Sequence, residues 1–232
     1  MMSLRQMEAF ADPRLGEDLL WRDIRVERFS SPTPALFLDR DGVIIEEKNY
    51  ISDPNQVDLL PGVADLIRAA RLAGMAVIEI TNQAGIGRGK FGWHAFVQVE
   101  NRVREVLGEQ HAQLDAVFAC AFHEQGNGPY KCANHAWRKP NPGMLLEAAR
   151  LLNLDLAQSM LVGDKAADQG AARAAGLPIG IHVLTGYGKA EKQFACALSS
   201  PVFTVHVVEN ASNAGALFPF NRVPVLSRGD RR

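Results

Sequence analysis

The stretch Ala35-Leu36-Phe37-Leu38-Asp39-Arg40-Asp41-Gly42-Val43 restricts the fold most. An apolar run that stops at two carboxylates and a glycine reads as a buried strand whose end delivers Asp39 and Asp41 to one rim of a sheet. The pattern recurs. Met75 to Ile80 ends in Thr81-Asn82-Gln83, Ala116 to Phe122 enters a loop of cysteines and histidines, and Ser159 to Val162 ends in Gly163-Asp164-Lys165. Ile179 to Leu184 and Val202 to Val208 are two further runs. Helical patterns separate them. Val63, Leu66, Ile67 and Ala70 follow Pro61-Gly62; Phe96, Val99, Val103 and Val106 share a face from about Trp93 to Leu107. Arg138-Lys139-Pro140-Asn141-Pro142 opens a helix to Leu152, and an alanine-rich helix runs to Ala175. This alternation predicts an α/β fold: a doubly wound, Rossmann-like parallel sheet with helices on both faces.

In such sheets ligands bind beyond the carboxyl ends of the strands. Asp39/Asp41, Thr81/Asn82, Arg138/Lys139 and Asp164 all fall there or just past it. A lone Asp-x-Asp leaves three readings open: a divalent-metal site, a nucleophile beside an acid/base, or a solvated turn. Polar groups gathered four times at one rim favour a site. Carboxylates suit Mg²⁺, which keeps waters and touches phosphate. Thr81, Asn82 and Lys139 are donors for phosphoryl oxygens, and a carboxylate can attack phosphorus to form an aspartyl-phosphate.

At 232 residues the chain suits one domain with an appendage. Ser31-Pro32-Thr33-Pro34 divides an N-terminal extension (1–33) from the main domain (34–208), and a polar tail (209–232) follows. A content of 47% hydrophobic and 22% charged residues is that of a globular protein. A net charge of −1 gives no electrostatic case for nucleic acid or an acidic membrane surface. No apolar run approaches the roughly 20 residues needed to span a bilayer. Residues 1–30 lack a signal-peptide apolar core, so a cytoplasmic location is expected. Cys120-x-x-His123 and Cys132-x-x-His135 form two pairs in the loop 120–137, a set that satisfies tetrahedral zinc; the alternative is a metal-free loop.

Asp39-Arg-Asp41-Gly-Val, Thr81-Asn82-Gln83-Ala-Gly-Ile-Gly-Arg-Gly-Lys-Phe, Arg138-Lys139-Pro-Asn-Pro-Gly-Met and Val-Gly163-Asp164-Lys165-x-x-Asp168 resemble the four motifs of the haloacid-dehalogenase (HAD) superfamily. More narrowly, they are similar to the D-glycero-D-manno-heptose 1,7-bisphosphate phosphatases and the related histidinol-phosphate phosphatases. The likeness spans about Ala35 to Leu184. It implies a Mg²⁺-dependent phosphatase of a small sugar phosphate, with Asp39 as nucleophile and Asp41 as acid, then base. It further implies that Asp39, Asp164 and the Asp41 carbonyl hold Mg²⁺, that Thr81 and Asn82 bind the phosphoryl group, and that Lys139 offsets its charge. Arg138 would reach the sugar or its phosphate, and Asp168 would support the metal or Lys165. Arg40 is expected to point away from the site, since neighbours on an extended strand alternate.

The family's zinc loop, a C-x-H pair and a C-x-C pair, is not conserved in register: its first Cys falls at Cys120, its His at Phe122, and its later pair at His135 and Trp137. The connections Asp41-to-Pro61 and Ile80-to-Ala116 are too short for a large cap domain. The competing readings are a histidinol-phosphate phosphatase and a non-catalytic binding protein on the same fold.

Overall fold

The computed structural model describes residues 12–218. In chain order these hold β1 (Leu20–Ile24), β2 (Thr33–Leu38), α1 (Val63–Leu72), β3 (Ala76–Asn82), α2 (Trp93–Glu109) and β4 (Ala116–Cys120). Then come α3 (Gly143–Leu152), β5 (Leu154–Gly163), α4 (Ala166–Ala174), β6 (Ile179–Val183), α5 (Gly188–Cys196) and β7 (Thr204–Val208). The strands form one sheet in the order β1-β4-β3-β2-β5-β6-β7, parallel except for β1.

Alternation along β2 explains the layering. Leu36 and Leu38 enter one core with Val77, Ile67, Phe96, Val99 and Val103, which places α1 and α2 on that face. Phe37 enters the other with Ile78, Phe118, Met144, Leu145 and Ala171, beneath α3 and α4. From β2 the chain winds outward through β3 and β4, then returns to β5 on the other side of β2. The switch point between β2 and β5 is where a ligand crevice opens.

Three features go beyond the sequence reading. The extension contributes a strand to the sheet: β1 pairs antiparallel with β4, from Leu20 opposite Cys120 to Ile24 opposite Ala116. Leu20 and Trp21 are fully buried, and the Trp21 ring lies 6.5 Å from Trp93 and 5.1 Å, edge-on, from Phe96. The start of the tail also packs, since Ala211–Leu217 forms a 3₁₀ helix with Ala211 and Ala214 buried against the core. Residues 1–11 and 219–232, the remainder of the extension and tail, lie outside the described residues. Finally, α5 has no counterpart among the helices read from the sequence.

The segment from Asp41 to Pro61 is drawn together by bridges Asp41–Ile45 and Ile45–Leu59 and contains one 3₁₀ turn, Pro54–Gln56. Between β3 and α2 stands only a helical turn, Ala84–Gly87. No large cap is present at either place. Among the described residues no helix is long and apolar enough to cross a membrane.

Candidate active site

Asp39 follows the last residue of β2, and its N–H donates to Val162 O at 3.0 Å, so the pairing with β5 continues to the carboxylate itself. The chain then turns sharply, with Gly42 at φ 84°. Opposite, past the end of β5, sits Asp164. A Cβ on either Gly42 or Gly186 would overlap Asp164 Oδ2, so both glycines are required for the two loops to close over this carboxylate. Thr185 Oγ1 donates to Gly42 O at 2.5 Å, and Tyr187 N–H donates to Asp164 Oδ2 at 2.8 Å.

Lys139 links the other motifs. Its Nζ stands 2.9 Å from Asp39 Oδ1, 2.7 Å from Asp168 Oδ1 and 2.9 Å from Ile80 O. Asn82 fixes the lysine's backbone reciprocally: Nδ2 donates to Lys139 O at 3.0 Å and Oδ1 accepts from Lys139 N at 3.1 Å. Asp168 Oδ2 accepts from Lys165 N at 2.9 Å and so caps α4. Burial opposes the Lys139 charge, but Asp168 and Asp39 outweigh it and hold its pKa above the ordinary lysine value. Burial likewise pushes Asp39 upward, and Lys139 and Lys165 outweigh that, leaving it below the usual carboxylate value. Asp39 is therefore an ionised carboxylate with Oδ1 engaged by Lys139 and by Arg40 N–H, and Oδ2 free of hydrogen bonds from the described residues.

Burial and the nearby Asp39 raise Asp164 to about 7. Its Oδ1 is buried without a hydrogen-bond partner, the Lys165 ammonium standing 3.5 Å away. Oxygens of Asp39, Asp164 and Asp168 lie within 4.8 Å of one another. Since both Asp168 oxygens are already engaged, the free donors are Asp39 Oδ2 and Asp164 Oδ1. Two hard oxygens, one on the cleft-lining Asp39 and one on the buried Asp164 behind it, suit Mg²⁺, which takes one or two carboxylates and leaves its other positions to water and phosphate. The Asp41 side chain is outside this group.

Instead, Asp41 is clamped. Arg40 does not point away: β2 ends at Leu38, so strand alternation no longer applies, and the side chain folds back beneath its neighbour with only 1% exposure. Its Nε and Nη2 donate to Asp41 Oδ1 at 3.1 and 2.8 Å, and Nη2 also to Asp41 Oδ2 at 2.9 Å. Nη1 donates to Glu100 Oε1 on α2 at 2.8 Å. Gln83 Nε2 donates both to Asp41 Oδ2 at 3.1 Å and to Thr81 Oγ1 at 2.8 Å. Thr81 is fully buried, so it lies under the cleft floor and orients Gln83, while Asn82 lines the cleft. Glu79 on β3 is also fully buried, with neither carboxylate oxygen hydrogen-bonded. Burial, then Glu100, push its pKa well above the ordinary value, so it favours the neutral form.

The cleft above these groups encloses about 270 Å³ and is walled by Asn49, Tyr50, Arg138 and Tyr187. Arg138 Nη1 donates to Phe122 O at 3.0 Å. Arg88 donates to Tyr50 OH at 2.6 Å. Lys165 sits 4.6 Å from the Tyr187 ring centroid and 3.5 Å from Glu47.

The structure does not assemble the expected zinc ligands. Cys120 is buried in the apolar layer beneath α3, where desolvation raises its thiol to about 11. His123 Nδ1 accepts from Gln125 N and His135 Nδ1 from Trp137 N, both within their own turns. Among the described residues, no three of Cys120, His123, Cys132 and His135 bring ligand atoms within 4.8 Å of one another. Aromatic contacts hold the loop instead. The His135 ring stacks on Phe122 at 3.4 Å, Phe122 meets Tyr130 edge-on at 5.7 Å, and Trp93 Nε1 donates to Tyr130 OH at 2.8 Å.

Arg40, Glu100 and Gln83 were not legible as site residues. Glu79, a lone carboxylate inside the apolar run Ala76–Ile80, was the available signal for a buried ionisable cluster under α2.

An ionised carboxylate paired with a buried lysine, a second acid across the switch point and an Asp-x-Asp turn make the kind of site that a HAD-like phosphatase uses. Comparison with known proteins agrees: the HAD-hydrolase-like family model matches residues 136–211. The chain is 44% identical over 203 residues to the D-glycero-β-D-manno-heptose-1,7-bisphosphate 7-phosphatase of Mesorhizobium japonicum, covering 88% of each chain. It superimposes on a HAD-like phosphatase from Mesorhizobium loti with a TM-score of 0.78 at 41% identity, covering 89% of this chain and 95% of that one. A D,D-heptose 1,7-bisphosphate phosphatase from B. bronchiseptica, complexed with magnesium and phosphate, gives 0.67 at 29% identity, covering 79% and 97%. The chain belongs to the heptose-1,7-bisphosphate phosphatase family of HAD-like phosphoric monoester hydrolases.

Proposed function

We propose that this phosphatase removes the C7 phosphate of D-glycero-β-D-manno-heptose 1,7-bisphosphate through an aspartyl-phosphate on Asp39. The observation that carries the reading is Asp39 itself, ionised, held on one oxygen by Lys139 and free on the other. Support for the substrate comes from the named activity of the Mesorhizobium japonicum relative.

The Asp39 carboxylate attacks phosphorus as the bond to the sugar oxygen breaks, and Asp41 gives that oxygen its proton. A water then attacks the acyl phosphate, Asp41 takes the water's proton, and inorganic phosphate leaves with Asp39 restored. Lys139 and Lys165 offset phosphoryl charge at a site where Asp39, Asp164 and Asp168 would otherwise repel it. Asn82, Gln83, Arg138 and Tyr50 all line the cleft; in this reading the two amides serve the phosphoryl oxygens, and Arg138 and Tyr50 serve the sugar. Asp39, Asp164 and the Asp41 carbonyl would hold Mg²⁺, which when bound neutralises phosphoryl charge and orients the group for in-line attack.

The test is turnover of the heptose bisphosphate and of p-nitrophenyl phosphate by wild type and Asp39→Asn. The variant is expected to keep its melting profile while losing more than about 10³-fold in kcat on both. Removal of divalent metal with EDTA should silence the wild type, and added Mg²⁺ should restore it. Turnover by Asp39→Asn, or indifference to chelation, contradicts the reading.

A further inference from the structure

The Asp41 carboxylate does not hold its own position: the Arg40 guanidinium fixes both of its oxygens, and that guanidinium is fixed in turn from α2. Glu100 is 2% exposed in the middle of the helix, and its Oε1 receives Arg40 Nη1 at 2.8 Å. The edge formed by Nε and Nη2 faces Asp41, and the Phe96 ring lies 5.5 Å from Arg40 Cζ. A guanidinium is a rigid planar fork, so a carboxylate that fixes one edge fixes the direction of the other. Asp41 is in the cleft wall, whereas Glu100 is not. The α2 carboxylate therefore acts on the site only through Arg40.

We propose that Glu100 is a positioning residue for proton transfer: by anchoring Arg40 it aims the Asp41 carboxylate at the sugar oxygen that leaves phosphorus. Without the anchor the buried guanidinium keeps Asp41 as its one hydrogen-bonded carboxylate. It is then free to swing, and Asp41, with Gln83 Nε2 still on Oδ2 but no fixed partner on Oδ1, loses its aim. Glu79 faces the same space from β3 but makes no hydrogen bond, so it does not share this anchoring. The proposal rests on Asp41 as the proton donor.

Leaving-group dependence separates positioning from mere support of the core. An alkoxide leaving a sugar phosphate needs a proton, whereas p-nitrophenolate departs as a stable anion. Because kcat/KM extends only through the first irreversible step, it reports departure of that group. Glu100→Gln, nearly isosteric and neutral, is expected to lower kcat/KM for the heptose bisphosphate about 10- to 100-fold and for p-nitrophenyl phosphate less than about threefold. Glu100→Asp, which restores the charge, should bring the ratio of the two back toward wild type; if Glu100→Gln fails to fold, Arg40→Lys, which removes the fork that Glu100 anchors, is measured in its place and should show the same selective loss. Equal losses on both esters, or none on either, overturn the proposal. Asp41→Asn is measured in parallel. If it shows the selective loss and Glu100→Gln does not, the positioning role alone fails; if neither shows it, the donor role of Asp41 fails as well.

Discussion

Lys139 occupies all three of its donors on Asp39, Asp168 and the Ile80 carbonyl, at 2% exposure. A cation so placed is structural and chemical at once. Lys139→Met would leave two buried carboxylates unpaired, a loss of about 3–5 kcal/mol for a broken buried pair, or a Tm lower by roughly 10 °C in a chain of this size. Activity should fall with it, because Asp39 would lose its main stabiliser as an anion; calorimetry and turnover check the two effects separately. Glu79 presents the opposite case. Burial raises its folded-state pKa above that in the unfolded chain. Its neutral form therefore contributes fully below the unfolded value of about 4.3, and the contribution is lost as pH rises through the folded value. Glu79→Gln, permanently neutral, should match wild type in Tm near pH 4 and exceed it progressively toward pH 8. A difference independent of pH would show that Glu79 does not titrate with unfolding.

At the scale of elements, the strands that carry the motifs were legible because each is an apolar run stopped by polar residues. Asp39, Asn82 and Asp164 stand at or just past the ends of β2, β3 and β5, the rim that this pattern predicts, and Lys139 joins Asp39 and Asn82 in the cleft. Besides α5, a site residue on α2 and the strand β1 were hidden. The α2 stripe read as Phe96, Val99, Val103 and Val106, and Glu100 falls four residues after Phe96 on the same face, where a lone charge among apolar neighbours looks like an edge of the stripe. β1 was hidden because Arg22 and Asp23 dilute a five-residue run, and its partner β4 lies far along the chain. Its weight shows in Trp21, which stacks on Trp93 and meets Phe96 edge-on. Trp21→Ala is expected to destabilise by about 3–5 kcal/mol, measured by denaturant unfolding. It should also raise KM more than it lowers kcat, because Trp93 continues the stack to Tyr130 and the loop before Arg138.

For the whole molecule, the fold class and the absence of a cap followed from connection lengths and alternation, which depend on local patterning. The Cys/His loop did not follow, because spacing alone cannot tell a ligand turned toward a metal from one packed on Phe122. The switch point has a kinetic corollary. Asp39 and Asp164 meet only when β2 pairs with β5, and α1, β3, α2, β4 and α3 intervene. Helices can form early from local contacts, whereas closing so long a loop is slow and entropically costly. On dilution from denaturant, far-ultraviolet circular dichroism should recover before phosphatase activity, and simultaneous recovery would contradict this order. A nascent chain released before β5 has emerged would hold a helical signal and Asp39, yet remain chemically silent.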